Sequence, residues 1–233
     1  TLSGLLALLS KQNAATLPLL LFFYEWFFFQ NASPAWFKKN IPWLIAVIAL
    51  FLFIVLIYLG PRPVNAVLAD YKTQPFTLGQ RVLTEPRVIL YYLSLLLFPH
   101  PARLTLCYDF PLSSSLATPA DTSLALVTLF LLAATAFLTA RRHRLPAFAL
   151  LWFLINLAIE SSFIGRAIIF EHRTYLPSVF IIMAGIEIWM RHIRPGGMAV
   201  RIVLLGIILC CYGTYERNQT WRTALSFWQD AVN

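Results

Sequence analysis

Four kinds of chemically capable side chain crowd one short stretch of this sequence. From Glu160 to Tyr175 there are two carboxylates (Glu160, Glu171), an imidazole (His172), two guanidinium groups (Arg166, Arg173) and a phenol (Tyr175), with Glu171, His172, Arg173 and Tyr175 inside the run Glu171-His-Arg-Thr-Tyr-Leu-Pro-Ser. Arginine presents a planar fork of donors that grips a phosphate through two parallel hydrogen bonds. Histidine titrates near neutral pH and a partly buried glutamate can be tuned toward it, so Arg173 could hold a phosphate while Glu171 or His172 orients a hydroxyl. The same residues admit a plainer reading: a Glu–Arg pair that tethers two helix ends, with Pro177 in the first turn of the following helix.

A second candidate group lies in residues 61–121, where Arg62, Lys72, Arg81, Arg87 and Arg103 mix with Asp70, Glu85 and Asp109. Arg81 and Arg87 stand just before an apolar run, 88–98, and suit the head group of a phospholipid or polyprenyl phosphate. Arginines at a membrane edge also often only snorkel to the interface. Lys11, after Ser10, is a further candidate phosphate ligand or an ordinary interfacial lysine. Glu25 and Glu187 sit inside apolar runs, where an ionisable group is expensive. His100 and the three cysteines show no metal-ligand spacing, and no glycine-rich phosphate loop is present. No cofactor is identified, and a need for a divalent metal is left open.

The elements that must position these groups follow from composition. Of 233 residues, 59% are hydrophobic and only 12% charged, against roughly 45–50% and about 25% in soluble domains. This excludes a water-soluble globule. The formal charge is +8, but it is scattered between apolar runs rather than gathered on a polar face, which argues against a nucleic-acid partner. A bilayer core of about 30 Å takes about 20 apolar residues as a helix. Six runs approach that length: 13–29, 43–60, 123–140, 146–165, 175–190 and 198–215. The run 88–98 is too short to cross and suits a re-entrant or interfacial helix.

Sidedness comes from basic residues in short loops. Lys38 and Lys39, then Arg141, Arg142 and Arg144, then Arg191, Arg194 and Arg201 fall at alternate span ends with no acid among them. Those ends are expected in the cytoplasm. Residues 10–12, 61–121, 160–173 and 216 onward then share the outer face, and the polar candidates lie there together. The expected fold is all-α and polytopic, with about six spans and one short non-crossing helix.

Four matches, one of them in two pieces, occur in the order of a known family. Leu9-Ser-Lys-Gln-Asn-Ala-Ala-Thr-Leu-Pro resembles the "LSKE…TLP" stretch of the transmembrane-and-tetratricopeptide-repeat O-mannosyltransferases and their bacterial relatives. Phe76-Thr-Leu-Gly-Gln-Arg-Val-Leu-Thr-Glu, with Tyr108-Asp-Phe-Pro-Leu-Ser, looks like that family's outer loop. The Glu171 run is similar to its "EHRxYLPS" turn, and Arg217-Asn-Gln-Thr-Trp-Arg to its "RNxxWR" lead into the repeats.

The resemblance implies a GT-C-type membrane glycosyltransferase, moving a sugar from a polyprenyl-phosphate carrier to a protein or glycan acceptor on the outer face. It implies a bacterial inner-membrane protein with its active face to the periplasm. Residues 1–215 would be a partial membrane domain with outer loop 61–121, and residues 216–233 would lead toward a repeat domain. Arg81, Arg87 and Arg173 are then candidate ligands of the carrier phosphate, Glu171 and His172 orient them or the acceptor, and 88–98 lies against membrane lipid. The family's catalytic acid is expected upstream of Thr1, and Gln12 stands where the family has Glu. Two other classes remain: a non-catalytic subunit or scaffold of a larger membrane complex, and a transporter, which would place polar groups near mid-membrane.

Overall fold

Ser33 and Pro34 show how the sequence starts its longest helix. Ser33 takes an extended conformation and its Oγ accepts a hydrogen bond from the Trp36 backbone N–H, while Pro34 supplies a preset φ at the first helical position. The helix runs 26 residues, about 39 Å, and stops at Gly60, whose φ of +75° suits glycine. In this computed structural model, residue 6 and residues 12–105, 108–193 and 196–232 are described. Lys11, Cys107 and Arg194 lie outside the described residues.

The described residues form helices and turns with no strand. A 3₁₀ stretch (Gln12–Thr16) leads into α1 (Leu17–Tyr24), which widens into a π-helical turn (Glu25–Phe29). There follow α2 (Pro34–Leu59), α3 (Pro63–Asp70), α4 (Leu78–Leu97), α5 (Asp121–Thr139), α6 (Arg144–Ala158), α7 (Tyr175–His192), α8 (Gly197–Gln219) and α9 (Ala224–Val232). Three of these, α2, α5 and α8, are long and apolar enough to cross a membrane. The other expected spans are helical too, but residues 14–29 and α6 are shorter apolar helices, and α7 carries Glu187 and Arg191.

Three boundaries differ from the hydropathy runs. α2 begins at Pro34 rather than residue 43, because the Ser33–Pro34 cap outweighs the interruption by Lys38 and Lys39. α6 ends at Ala158 rather than 165, because the carbonyls beyond it are taken by an arginine. The run 88–98 is no separate short helix but the second half of the 20-residue α4, which a capping box between Thr77 and Gln80 starts well upstream.

α6 is the hub. Phe148, Leu151, Phe153, Ile155 and Leu157 are buried on different sides of it, the pattern of a helix enclosed by protein. At one end Phe148 packs with Phe27, Phe28, Trp152 and Phe180, part of an aromatic cluster that includes Phe22, Phe23, Trp26 and Phe37. At the other end Phe153 and Leu157 pack against Val88, Tyr92 and Leu95 of α4 and against Ile169. By contrast, α8 has no buried residue, and past Leu44 most of the apolar side chains of α2 are exposed. The Arg141 Nε donates to the Ala32 carbonyl at 3.3 Å, which joins the turn before α2 to the turn after α5.

Candidate functional site: an arginine-centred knot

The buried face of α4 changes character along its length. Arg81, Thr84, Glu85, Val88, Tyr92 and Leu95 recur at three- and four-residue steps and are all buried. The apolar members seal against α6, and this forces the polar members into the same protein interior. A buried guanidinium must have its donors satisfied, and the chain leaving α6 satisfies them. Arg81 Nε donates to the Ser162 carbonyl at 2.9 Å, Nη2 to the Glu160 carbonyl at 2.9 Å, and Nη1 to the Arg166 carbonyl. Nη2 also stands 2.8 Å from Glu85 Oε1, with both side chains essentially inaccessible.

Arg173 repeats the device from the other end of the same turn. Its Nε lies 3.0 Å from Glu160 Oε2, and its Nη1 and Nη2 donate to the carbonyls of Ile168 (3.0 Å) and Ala167 (2.9 Å). The guanidinium stacks over Phe170, 5.3 Å from the ring centre, and the Phe170 N–H donates to Tyr92 Oη at 2.8 Å. Arg81 and Arg173 therefore meet at Glu160, one through its backbone and the other through its carboxylate.

Arg87 points from α4 to a different neighbour. Its Nη1 donates to the Pro111 carbonyl (2.6 Å) and to Ser113 Oγ (3.3 Å), its Nε is 3.0 Å from Asp121 Oδ2, and Phe110 lies beneath it. Ser113 is held further by Thr84 and Thr122. Arg87 thus fastens the chain entering α5. On the near side, Tyr108 Oη donates to Glu171 Oε1 at 2.6 Å, tying the loop after α4 to the start of the 3₁₀ turn Glu171–Thr174.

Of the residues singled out from sequence, Arg81, Arg173 and Glu171 are drawn together around 160–174, and Arg87 sits on the same helix facing 110–122. His172 and Tyr175 are exposed at the rim, Tyr175 at 82%, with the His172 ring 5.2 Å from that of Phe170. Sequence reading passed over Glu85, Tyr108 and Asp121 as partners. The four-residue spacing of Arg81 and Glu85 on one helix face was the signal available for the first.

The electrostatics are self-contained. Arg81, Arg87 and Arg173 each face one carboxylate: Glu85, Asp121 and Glu160. Burial pushes Arg81 down from its usual value and pushes Glu85 up to about 7, more than Arg81 and the Ser161 hydroxyl pull it back. Neither Glu85 oxygen completes a well-aligned hydrogen bond among the described residues. Burial, and then the Glu171 carboxylate, also raise the Tyr108 phenol. Among the described residues no three His, Cys, Asp or Glu side chains cluster as metal ligands. Chemically the knot can fix a turn rigidly, and it presents His172 and Tyr175 outward. No protein-family model, curated protein or solved structure matches the chain.

Proposed function

We propose that this chain is part of a polytopic membrane glycosyltransferase of GT-C type, which moves a sugar from a polyprenyl-phosphate carrier to a protein or glycan acceptor at the knot's side of the membrane. In this reading about six helices span a bacterial inner membrane and the knot faces the periplasm. One observation carries the proposal. Three segments that each resemble the O-mannosyltransferase family, though far apart in sequence, are joined through direct bonds and through their shared contacts with residues 160–168. Arg81 comes from the first, Tyr108 from the second and Glu171 and Arg173 from the third, and they are linked by the Tyr108–Glu171 bond of 2.6 Å and the Arg81 and Arg173 contacts to 160–168.

Roles divide by exposure. Arg81 and Arg173 are positioning residues, because their donors already hold the turn. The groups open to a substrate are His172 and Tyr175, with Glu171 at their base. His172 is placed to orient an acceptor hydroxyl or contact the carrier phosphate, and Tyr175 to lie along the carrier.

The test uses the full-length protein in vesicles with a polyprenyl-phosphate-linked sugar. His172→Ala should cut sugar transfer about 100-fold, the lower range for a lost acid–base group, and Tyr175→Phe should reduce it less, with expression and melting unchanged for both. Full transfer by both variants would remove the site.

A second reading is favoured by the matched charges. A knot whose arginines are all paired also suits a non-catalytic subunit of a larger membrane complex. No transfer by the wild-type protein, together with co-purification of a partner that buries the Glu171 turn, would select it.

A further inference from the structure

The inner half of α7 carries a seam that nothing in the fold uses. Ile182, Gly185, Ile186, Trp189, Met190 and Ile193 recur at three- and four-residue steps, and across from them stand Ala199, Val200, Val203 and Leu204 of α8. Between the two helices lies a groove of about 770 Å³ lined only by these apolar residues, inside the roughly 300–1,000 Å³ of small-molecule sites. There is spare room at Gly185, where an added Cβ would find no atom within 4 Å.

Basic residues stand next in sequence to the lining at one end of this groove. Arg191 and His192 close the last turn of α7, and Arg201 lies in the first turns of α8. Glu187, the one acid there on either helix, is already engaged by Arg191. The Arg201 guanidinium folds back toward the α7–α8 turn, with its Nε donating to the Gly197 carbonyl at 3.1 Å. Trp189, on the groove wall one turn from that end, is the residue type enriched where hydrocarbon meets head groups.

We propose that this groove binds one anionic phospholipid, with an acyl chain along the Ile182–Ile193 seam and the phosphate at Arg201, beside the Arg191–Glu187 pair. Charge complementarity selects this occupant. A packed helix or a second copy of the chain would match the apolar walls but would gain nothing from the basic residues beside them. A zwitterionic lipid would fill the walls while offsetting its own phosphate. The proposal is independent of any transfer activity.

The experiment is native mass spectrometry of the full chain in detergent, titrated with phosphatidylglycerol or with phosphatidylcholine of the same acyl chains. Phosphatidylglycerol should be retained over phosphatidylcholine by about fivefold or more, the worth of one arginine at an anionic surface. Arg201→Gln should erase that preference, again by about fivefold, and leave phosphatidylcholine retention unchanged. Gly185→Phe, whose Cβ meets no atom within 4 Å and whose ring would occupy the groove, should lower retention of both. Equal retention of the two lipids by the wild-type chain would overturn the proposal. So would wild-type phosphatidylglycerol retention by Gly185→Phe, or a wild-type dimer that Gly185→Phe dissolves. Arg201→Gln lies outside the packed core, so it tests the charge term even if Gly185→Phe disturbs the helix pair.

Discussion

Arg173 and Glu160 hold each other at 3.0 Å across the turn that joins α6 to α7, and both side chains are at least nine-tenths buried. The pair closes a loop of backbone whose carbonyls are simultaneously gripped by Arg81. Removing one member leaves a charge stranded in protein, which typically costs about 3–5 kcal/mol. Arg173→Ala should therefore lower the melting temperature sharply in detergent. Arg173→Lys should rescue little, because an ammonium cannot serve Glu160, Ile168 and Ala167 from one planar fork.

Stability should depend on pH through Glu85. Its folded-state value of about 7 lies above the reference of 4.5. The folded state thus favours the protonated carboxyl. The contribution is fully present below about 4.5, is lost as pH rises through about 7, and is flat above that. The difference is on the order of 3 kcal/mol at most. Thermal melts between pH 4 and 8 should slope downward in that window for the wild-type chain, and Glu85→Gln should flatten the slope. An unchanged slope in the variant would assign the dependence to another group.

Tyr108→Phe removes the donor to Glu171 while keeping the ring against Tyr91. Hydrogen bonds to charged groups contribute about 1.5–3 kcal/mol, and the half-buried site argues for the lower figure. The expected result is a modest fall in melting temperature with faster amide hydrogen exchange at residues 172–174. Exchange within α7, which begins at Tyr175, should not change.

Two glycines should behave in opposite ways. A Cβ at Gly165 would sit 2.8 Å from Asp70 Cβ, so Gly165→Ala should destabilise by about 1–3 kcal/mol, as overpacking does. Gly185 lies mid-helix with open space around it, so Gly185→Ala should stabilise by up to about 1 kcal/mol. Paired thermal melts check both, and equal shifts would contradict the packing at Asp70.

How far the sequence was legible depended on what kind of signal each residue carried. Hydropathy marked α5, α7 and α8 within a few residues, because their boundaries coincide with a change from apolar to charged side chains. It missed the first half of α4, since Arg81, Glu85 and Arg87 read as loop charges when only composition is counted. The capping box at Thr77 and Gln80 and the spacing of the buried face carried that information locally. The convergence of Arg81 on the Glu171 region was foreseeable from charge and topology. That its donors would go to carbonyls was not, because it depends on where the backbone leaves α6, and the apolar run continues past that point to Gly165.

The brevity of α6 has its own consequence. Fifteen residues rise about 22 Å, well under the about 30 Å of a hydrocarbon layer. The peptide groups that follow α6 lose their helical partners there, and the guanidinium groups of Arg81 and Arg173 take the carbonyls of Glu160, Ser162, Arg166, Ala167 and Ile168 instead. The knot thus sets where the hub helix stops and where α7 can begin, so the length of α6 is decided by an arginine on α4 and another beyond its own exit turn.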